Sequence, residues 1–165
     1  MSTMTETGTT HVYEVFIKAP RETVWEALTS PEWATKYGYQ CPLEIELRAG
    51  GSYKQLPSAG MLAGGWQSDV VIDGEILEVD EPSKLVQTFQ PHFGSEVDAE
   101  GPTRVTFELS EFGAGVTKLR VIHELESAPQ TLVMVTSSAP EMGGGWSWIL
   151  NDLKSVVETG STLAG

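Results

Sequence analysis

Apolar and polar residues alternate along much of the chain with the period of two that is typical of half-buried β-strands. In residues 11–18, for example, Tyr13, Val15 and Ile17 fall on one face. Asp73-Gly74 interrupts the longest alternating segment, and we interpret this dipeptide as a bulge rather than a turn because the strand register resumes at once. The pattern predicts strands over 11–18, 44–48, 52–56, 66–80, 84–90, 103–111 and 116–125.

Helical patterns occur at two places. Ala19-Pro20 and Ser30-Pro31 carry prolines suited to a first helical turn, which predicts short helices over 21–29 and 31–37. Near the end of the chain, apolar residues recur at helical spacing over 146–158 and polar residues, including Asn151 and Asp152, take the opposite face. The apolar positions of this C-terminal helix are Trp146, Ile149, Leu150, Leu153, Val156 and Val157.

The order of these elements predicts an α+β fold. A strand and two short helices are followed by about six antiparallel strands and one long helix. A flat sheet of six or seven strands has more apolar surface than one helix covers, so we expect the sheet to curve around the helix and leave a cavity between them. We assign residues 10–160 to one domain, 1–9 to a disordered N-terminal tail and 161–165 to a C-terminal tail.

Composition and charge exclude several classes of protein. The chain has 165 residues and a hydrophobic content of 40%, which is typical of a globular protein. Its net charge of −13 disfavours nucleic acid and anionic membranes as partners. Cys41 is the one cysteine, so an internal disulfide is excluded and a zinc site is disfavoured. We expect a cytoplasmic protein, monomeric or homodimeric, with no cofactor.

Three stretches resemble a known family. Ala19-Pro20-x-x-x-Val24-Trp25 followed by Ser30-Pro31-Glu32-Trp33 is similar to the opening of the START-like (SRPBCC) helix-grip superfamily. The segments 119–123 and 144–160 resemble proteins related to the C-terminal domain of the activator of heat-shock-protein-90 ATPase. The resemblance implies a cavity between sheet and helix, which the superfamily uses for lipids, polyketides and other hydrophobic molecules. It also implies a chaperone as a further candidate partner.

Aromatic and apolar residues near this expected cavity are the candidate ligand contacts, since such sites are mostly apolar with a few placed polar groups. No catalytic or metal-ligating residue is predicted. The candidates are His123, Trp146, Trp66, Trp33, Tyr37, Phe93, Val121, Phe107 and Leu150.

His123 is the polar residue with the most informative position, because it is in phase with Leu119, Val121 and Leu125 on the apolar face of its strand. One interpretation is a core histidine whose hydrogen bonds are satisfied internally. The other is a polar anchor for a ligand, or a general acid or base if an ionisable partner orients it.

Three functions are compatible with these patterns. The first is binding or sensing of a small hydrophobic molecule. The second is a cyclase- or hydratase-type enzyme that uses the same pocket. The third is a chaperone-associated interaction domain. Two ionisable groups converging in the cavity would favour chemistry, and a cavity smaller than roughly 300 Å³ would count against both pocket functions.

Overall fold

A computed structural model of the protein describes residues 10–126, 128–136 and 144–163. The predicted tail at 1–9 and the last two residues of the predicted C-terminal tail lie outside this part. The strands are β1 (Thr10–Ile17), β2 (Leu43–Ile45), β3 (Ser52–Gln55), β4 (Ile72–Asp80), β5 (Lys84–Pro91), β6 (Thr103–Glu111) and β7 (Thr117–Glu124). The helices are α1 (Arg21–Thr29), α2 (Pro31–Ala34), α3 (Ala59–Ala63), α4 (Ser95–Glu100), α5 (Pro129–Val135) and α6 (Gly145–Thr159).

The seven strands form one curved antiparallel sheet in the order β1-β7-β6-β5-β4-β3-β2. The first strand therefore pairs with the last, and β5 occupies the centre of the sheet. Helix α6 packs on the sheet, so the predicted α+β helix-grip fold is confirmed.

The register of β6 and β7 explains the apolar face that α6 covers. Phe107 lies opposite Val121, and Leu109 lies opposite Leu119. All four side chains are buried, because successive residues of a strand point to opposite faces and these four share one. The alternation in the sequence therefore becomes a continuous apolar surface.

Helix α6 buries the stripe that its sequence predicts. Trp146, Leu150, Leu153 and Val156 are buried, and each large side chain removed from water contributes about 1.5–3 kcal/mol. Gly160 ends the helix in a left-handed conformation, with its N–H bonded to the Val156 carbonyl.

Three short helices lie where the sequence pattern indicated only loops. Helices α3, α4 and α5 have five, six and seven residues, too few to display a helical stripe. Conversely, residues 66–71 precede β4 rather than belonging to it.

The bulge predicted at Asp73-Gly74 was misplaced, because the register of β4 shifts between Ile76 and Glu78. Gly74 has a different role: a Cβ there would clash with the carbonyl oxygen of Thr88 on β5.

Asp152 was predicted to lie on the polar face of α6, and it is the one residue of that face that is buried in the structure. It is only 2% exposed, and its carboxylate accepts hydrogen bonds from the backbone N–H groups of Gly38 (2.8 Å) and Leu163 (2.6 Å). The side chain thus ties α6 to the loop after α2 and to the end of the chain.

Asp152→Ala should therefore lower the free energy of unfolding by about 3 kcal/mol, because two charge-assisted hydrogen bonds are lost and two N–H groups lose their acceptor. Urea unfolding measures the change. Asn151→Ala is the matched control: Asn151 is exposed and its amide donates to the Ser147 carbonyl of its own helix, so the substitution should change stability by less than about 0.5 kcal/mol. Equal effects of the two substitutions on stability would contradict a stabilising role for the hydrogen bonds of Asp152.

Candidate functional site

A cavity of about 210 Å³ lies between α6 and the sheet. The residues lining it come from both layers and from the loops between them, and none of those described is Asp, Glu, Lys, Arg or His. They are Leu28, Ala34, Tyr37, Gly38, Tyr39, Gln40, Cys41, Leu43, Tyr53, Gln55, Met61, Val71, Ile72, Leu85, Gln87, Phe89, Phe93, Phe107, Met134, Val135, Gly145, Trp146, Ile149 and Leu150.

Two periodicities build the closed part of this wall. Leu85, Gln87 and Phe89 are alternate residues of β5, so all three face the same side of the sheet. Ile149 and Leu150 face them from α6. The cavity is therefore the space left between α6 and the curved sheet.

The opposite end of the cavity is bounded by residues near solvent. Tyr39 and Phe93 are 37% and 40% exposed. The Tyr39 hydroxyl accepts a hydrogen bond from the N–H of Gly145 at 3.1 Å, which joins the loop after α2 to the start of α6. This end of the cavity is its mouth.

His123 lies outside the cavity wall, in a chain of hydrogen bonds that occupies both of its ring nitrogens. Its Nδ1 accepts from the indole Nε1–H of Trp146 at 3.0 Å, and its Nε2 lies 2.7 Å from Oγ1 of Thr103. The Thr103 hydroxyl donates in turn to the Phe89 carbonyl at 3.2 Å. With that proton committed, Oγ1 accepts from His123, which requires the neutral Nε2–H tautomer.

Burial reinforces the neutral form of this histidine. Its side chain is fully buried, and the cost of desolvating an imidazolium, together with the nearby His11, lowers the pKa of His123 to about 3. A proton on Nδ1 would also remove the acceptor of Trp146. His123 is thus satisfied internally, as in the first of its two interpretations, by two side chains that do not titrate near neutral pH.

Burial holds three of the titratable side chains of the wall, Tyr37, Cys41 and Tyr53, protonated at neutral pH. Burial raises the pKa of the Tyr37 hydroxyl and of the Cys41 thiol, and it raises the pKa of Tyr53 to about 12. None of the three is therefore a base at neutral pH.

The structure brings five of the nine candidate residues to the cavity. The side chains that line it are Tyr37, Phe93, Phe107, Trp146 and Leu150.

The other four candidates lie elsewhere. His123 and Val121 are fully buried in the sheet beyond the wall. Trp66 stacks edge-on against Phe93, at 5.2 Å between ring centroids, and so supports the mouth from outside. Trp33 packs on the core while its ring is covered by the Lys36 ammonium at 4.9 Å.

Sequence reasoning missed five polar residues of the wall: Tyr39, Gln40, Tyr53, Gln55 and Gln87. A signal for Gln87 was present, since it alternates with Leu85 and Phe89 in a strand pattern and therefore shares their apolar face. Tyr53 and Gln55 lie on a strand of only four residues, where alternation carries little information.

Among the residues that the structure describes, no cluster of three or more His, Cys, Asp or Glu side chains is placed to hold a metal ion. Within the same residues, every helix is too short or too polar to cross a bilayer.

Comparison with known proteins identifies the family. The model of the family described as Activator of Hsp90 ATPase homolog 1-like protein matches residues 18–158. The chain belongs to this family. The resemblance stated from the sequence is thereby confirmed. A search of curated proteins finds no match to the chain.

Solved structures similar to this family member share its fold at low identity. CalU16 from Micromonospora echinospora is 21% identical with a TM-score of 0.65, over 92% of this chain and 77% of CalU16. PFC0360w, an HSP90 activator from Plasmodium falciparum, is 21% identical with a TM-score of 0.56, over 95% of this chain and 92% of its own. DynU16, a protein in the dynemicin biosynthetic locus, is 21% identical with a TM-score of 0.67, over 93% of this chain and 49% of DynU16.

His123 should make the protein lose stability in mild acid. The unfolded chain binds a proton at this residue near its ordinary pKa of 6.5, whereas the folded protein binds it only near 3. The stabilisation is therefore complete above pH 6.5 and is lost as the pH falls toward 3. Between about pH 7.5 and about pH 5 the loss is about 2 kcal/mol, measured as the difference between urea unfolding of the wild type and of His123→Gln.

The control for this experiment is His92→Gln. It removes a histidine whose ring nitrogens lie 3.2 Å from carboxylate oxygens of Asp73 and Asp98, and it leaves the buried chain of hydrogen bonds intact. His92→Gln should retain the acid-dependent loss of stability that is due to His123. If the wild type and His123→Gln lose stability equally, His123 is not a buried neutral group.

Proposed function

We propose that this protein binds a small, neutral, hydrophobic molecule in the cavity between α6 and the sheet. The observation that carries the proposal is a wall built from apolar and aromatic side chains with a few polar groups and, among the described residues, without a charged one. Such a wall favours neutral ligands, because burying an unpaired charge costs far more free energy than burying a hydrogen-bonded polar group.

The volume of the cavity limits the size of the ligand that it can hold. At about 210 Å³ the cavity falls below the limit of roughly 300 Å³ given above, which counts against a pocket function for molecules of drug size. An apolar cavity of about 150 Å³ is nevertheless large enough to hold benzene. The volume therefore supports a compact molecule of one or two rings rather than a whole lipid or polyketide.

The chemistry of the wall favours binding over catalysis. General acid–base catalysis needs a group whose pKa lies near the working pH. The raised pKa values of Tyr37, Tyr53 and Cys41 keep them protonated. His123 lacks an ionisable hydrogen-bond partner and lies outside the wall, which argues against the cyclase or hydratase alternative.

A chaperone contact is the second candidate function. The description of the family and the Plasmodium neighbour both favour it, and so does the modest size of the cavity. The ATPase rate of purified Hsp90, measured with increasing amounts of this protein, tests it. A saturable change in rate supports the contact, and an unchanged rate argues against it.

The ligand itself should be found by native mass spectrometry of the protein purified from its own host. We expect a bound mass from a compact neutral molecule, and we expect neutral one- or two-ring compounds to raise the melting temperature. Binding at about one hundred times the dissociation constant stabilises the folded state by about 2.7 kcal/mol.

Ala34→Phe supplies the variant for this test, because Ala34 lines the cavity and a phenyl group there occupies the space of the ligand. It should abolish both the bound mass and the thermal shift. Ala99→Phe is the matched control on exposed helix α4 and should leave both unchanged. Absence of a bound mass, together with no thermal shift across a panel of neutral ring compounds, would overturn the proposal.

A further inference from the structure

Among the described residues of the cavity wall, Gln87 alone has a buried polar side-chain atom without a hydrogen-bond partner. The residue is only 2% exposed, and its Oε1 bonds to no group among the residues that the structure describes. A buried acceptor left unpaired costs about 1–3 kcal/mol, so native proteins rarely keep one without a use.

Other polar groups of the wall are already engaged. The Tyr37 hydroxyl donates to the Ala27 carbonyl at 3.2 Å. The Gln55 Nε2 donates to the Tyr53 hydroxyl at 2.6 Å, and the Tyr39 hydroxyl accepts from Gly145. The buried polar atom of the wall that still lacks a hydrogen-bond partner is therefore Oε1 of Gln87.

The orientation of the Gln87 amide is set by its surroundings. Its Nε2 lies 3.3 Å from the carbonyl oxygen of Thr88, which is an acceptor only. Turning the amide over would place two oxygens against each other. The free atom is therefore the oxygen, and what it lacks is a donor.

Gln87 is also held in a fixed position. It lies on β5, which has three strands on either side, and it lies between the buried side chains of Leu85 and Phe89 on the same face. A polar group on the central strand of a sheet is more precisely placed than one on a loop.

We propose that the ligand carries a hydroxyl or N–H group that donates a hydrogen bond to Oε1 of Gln87. The inference rests on the proposed binding function and names its ligand class: a compact, neutral ring compound with a donor on its buried end. A donor satisfies the acceptor, whereas a ligand of the same shape with a methyl group in its place leaves the acceptor unpaired.

Two pairs of probes of equal shape test this. They are phenol with toluene, and 2-naphthol with 2-methylnaphthalene, each pair differing by hydroxyl against methyl. We expect the wild type to bind the hydroxyl member about tenfold more tightly by calorimetry. In Gln87→Met, which keeps the length of the side chain but removes the acceptor, that preference should disappear while the methyl members bind as before or more tightly.

Gln130→Met is the matched control. Gln130 lies exposed on α5 and is not among the residues that line the cavity, so its loss should leave the hydroxyl preference unchanged. Should Gln87→Met fail to fold, the wild type decides alone with 2-methoxynaphthalene, which accepts but does not donate: it should bind no better than 2-methylnaphthalene.

The outcomes separate the two proposals. Equal binding of hydroxyl and methyl members by the wild type would overturn the role of Gln87 and leave the binding function intact. Retention of the preference in folded Gln87→Met would do the same. If no probe of either pair binds the wild type, the binding function and this inference fail together.

Discussion

The hydrogen bond from the Trp146 indole to His123 is the interaction on which the arrangement of helix and sheet depends. It joins the first turn of α6 to β7 at 3.0 Å, beneath an aromatic cluster. Phe89 meets the His123 ring at 4.9 Å and Phe107 meets Trp146 at 5.8 Å, both edge to face. A buried polar contact inside such a cluster is strong because each of its groups is satisfied. The start of α6 is thereby fixed on the sheet.

The same contact determines what the cavity is able to do. Trp146, Phe89 and Phe107 belong both to this cluster and to the wall, so the rigid frame and the binding surface share side chains. Because His123 is occupied by Trp146 and Thr103, it has no nitrogen left for a ligand. The polar group that remains free is an amide, which binds without exchanging protons. This arrangement supports the proposed recognition of a neutral molecule rather than acid–base chemistry.

The fold could be predicted because its signals are periodic and long. The stripe from Trp146 to Val157 and the alternation in β6 and β7 each extend over enough residues to be distinctive. The cavity wall could be predicted only in part. Helix α3 contributes Met61 from a segment too short to show a period. The burial of Asp152 depends on Gly38 and Leu163, which approach it only in the folded protein. That His123 has internal partners likewise depends on Thr103 and Trp146, which lie 20 and 23 residues away.

The state of the His123 ring tests this account most directly. ¹⁵N NMR of the imidazole nitrogens distinguishes the two neutral tautomers from the imidazolium. At about pH 6, where an ordinary histidine is largely protonated, His123 should remain neutral with its proton on Nε2. Adding a ligand that raises the melting temperature should leave both nitrogen signals in that state. An imidazolium at this pH, a proton on Nδ1, or a change of tautomer on ligand binding would show that His123 belongs to the site rather than to its frame.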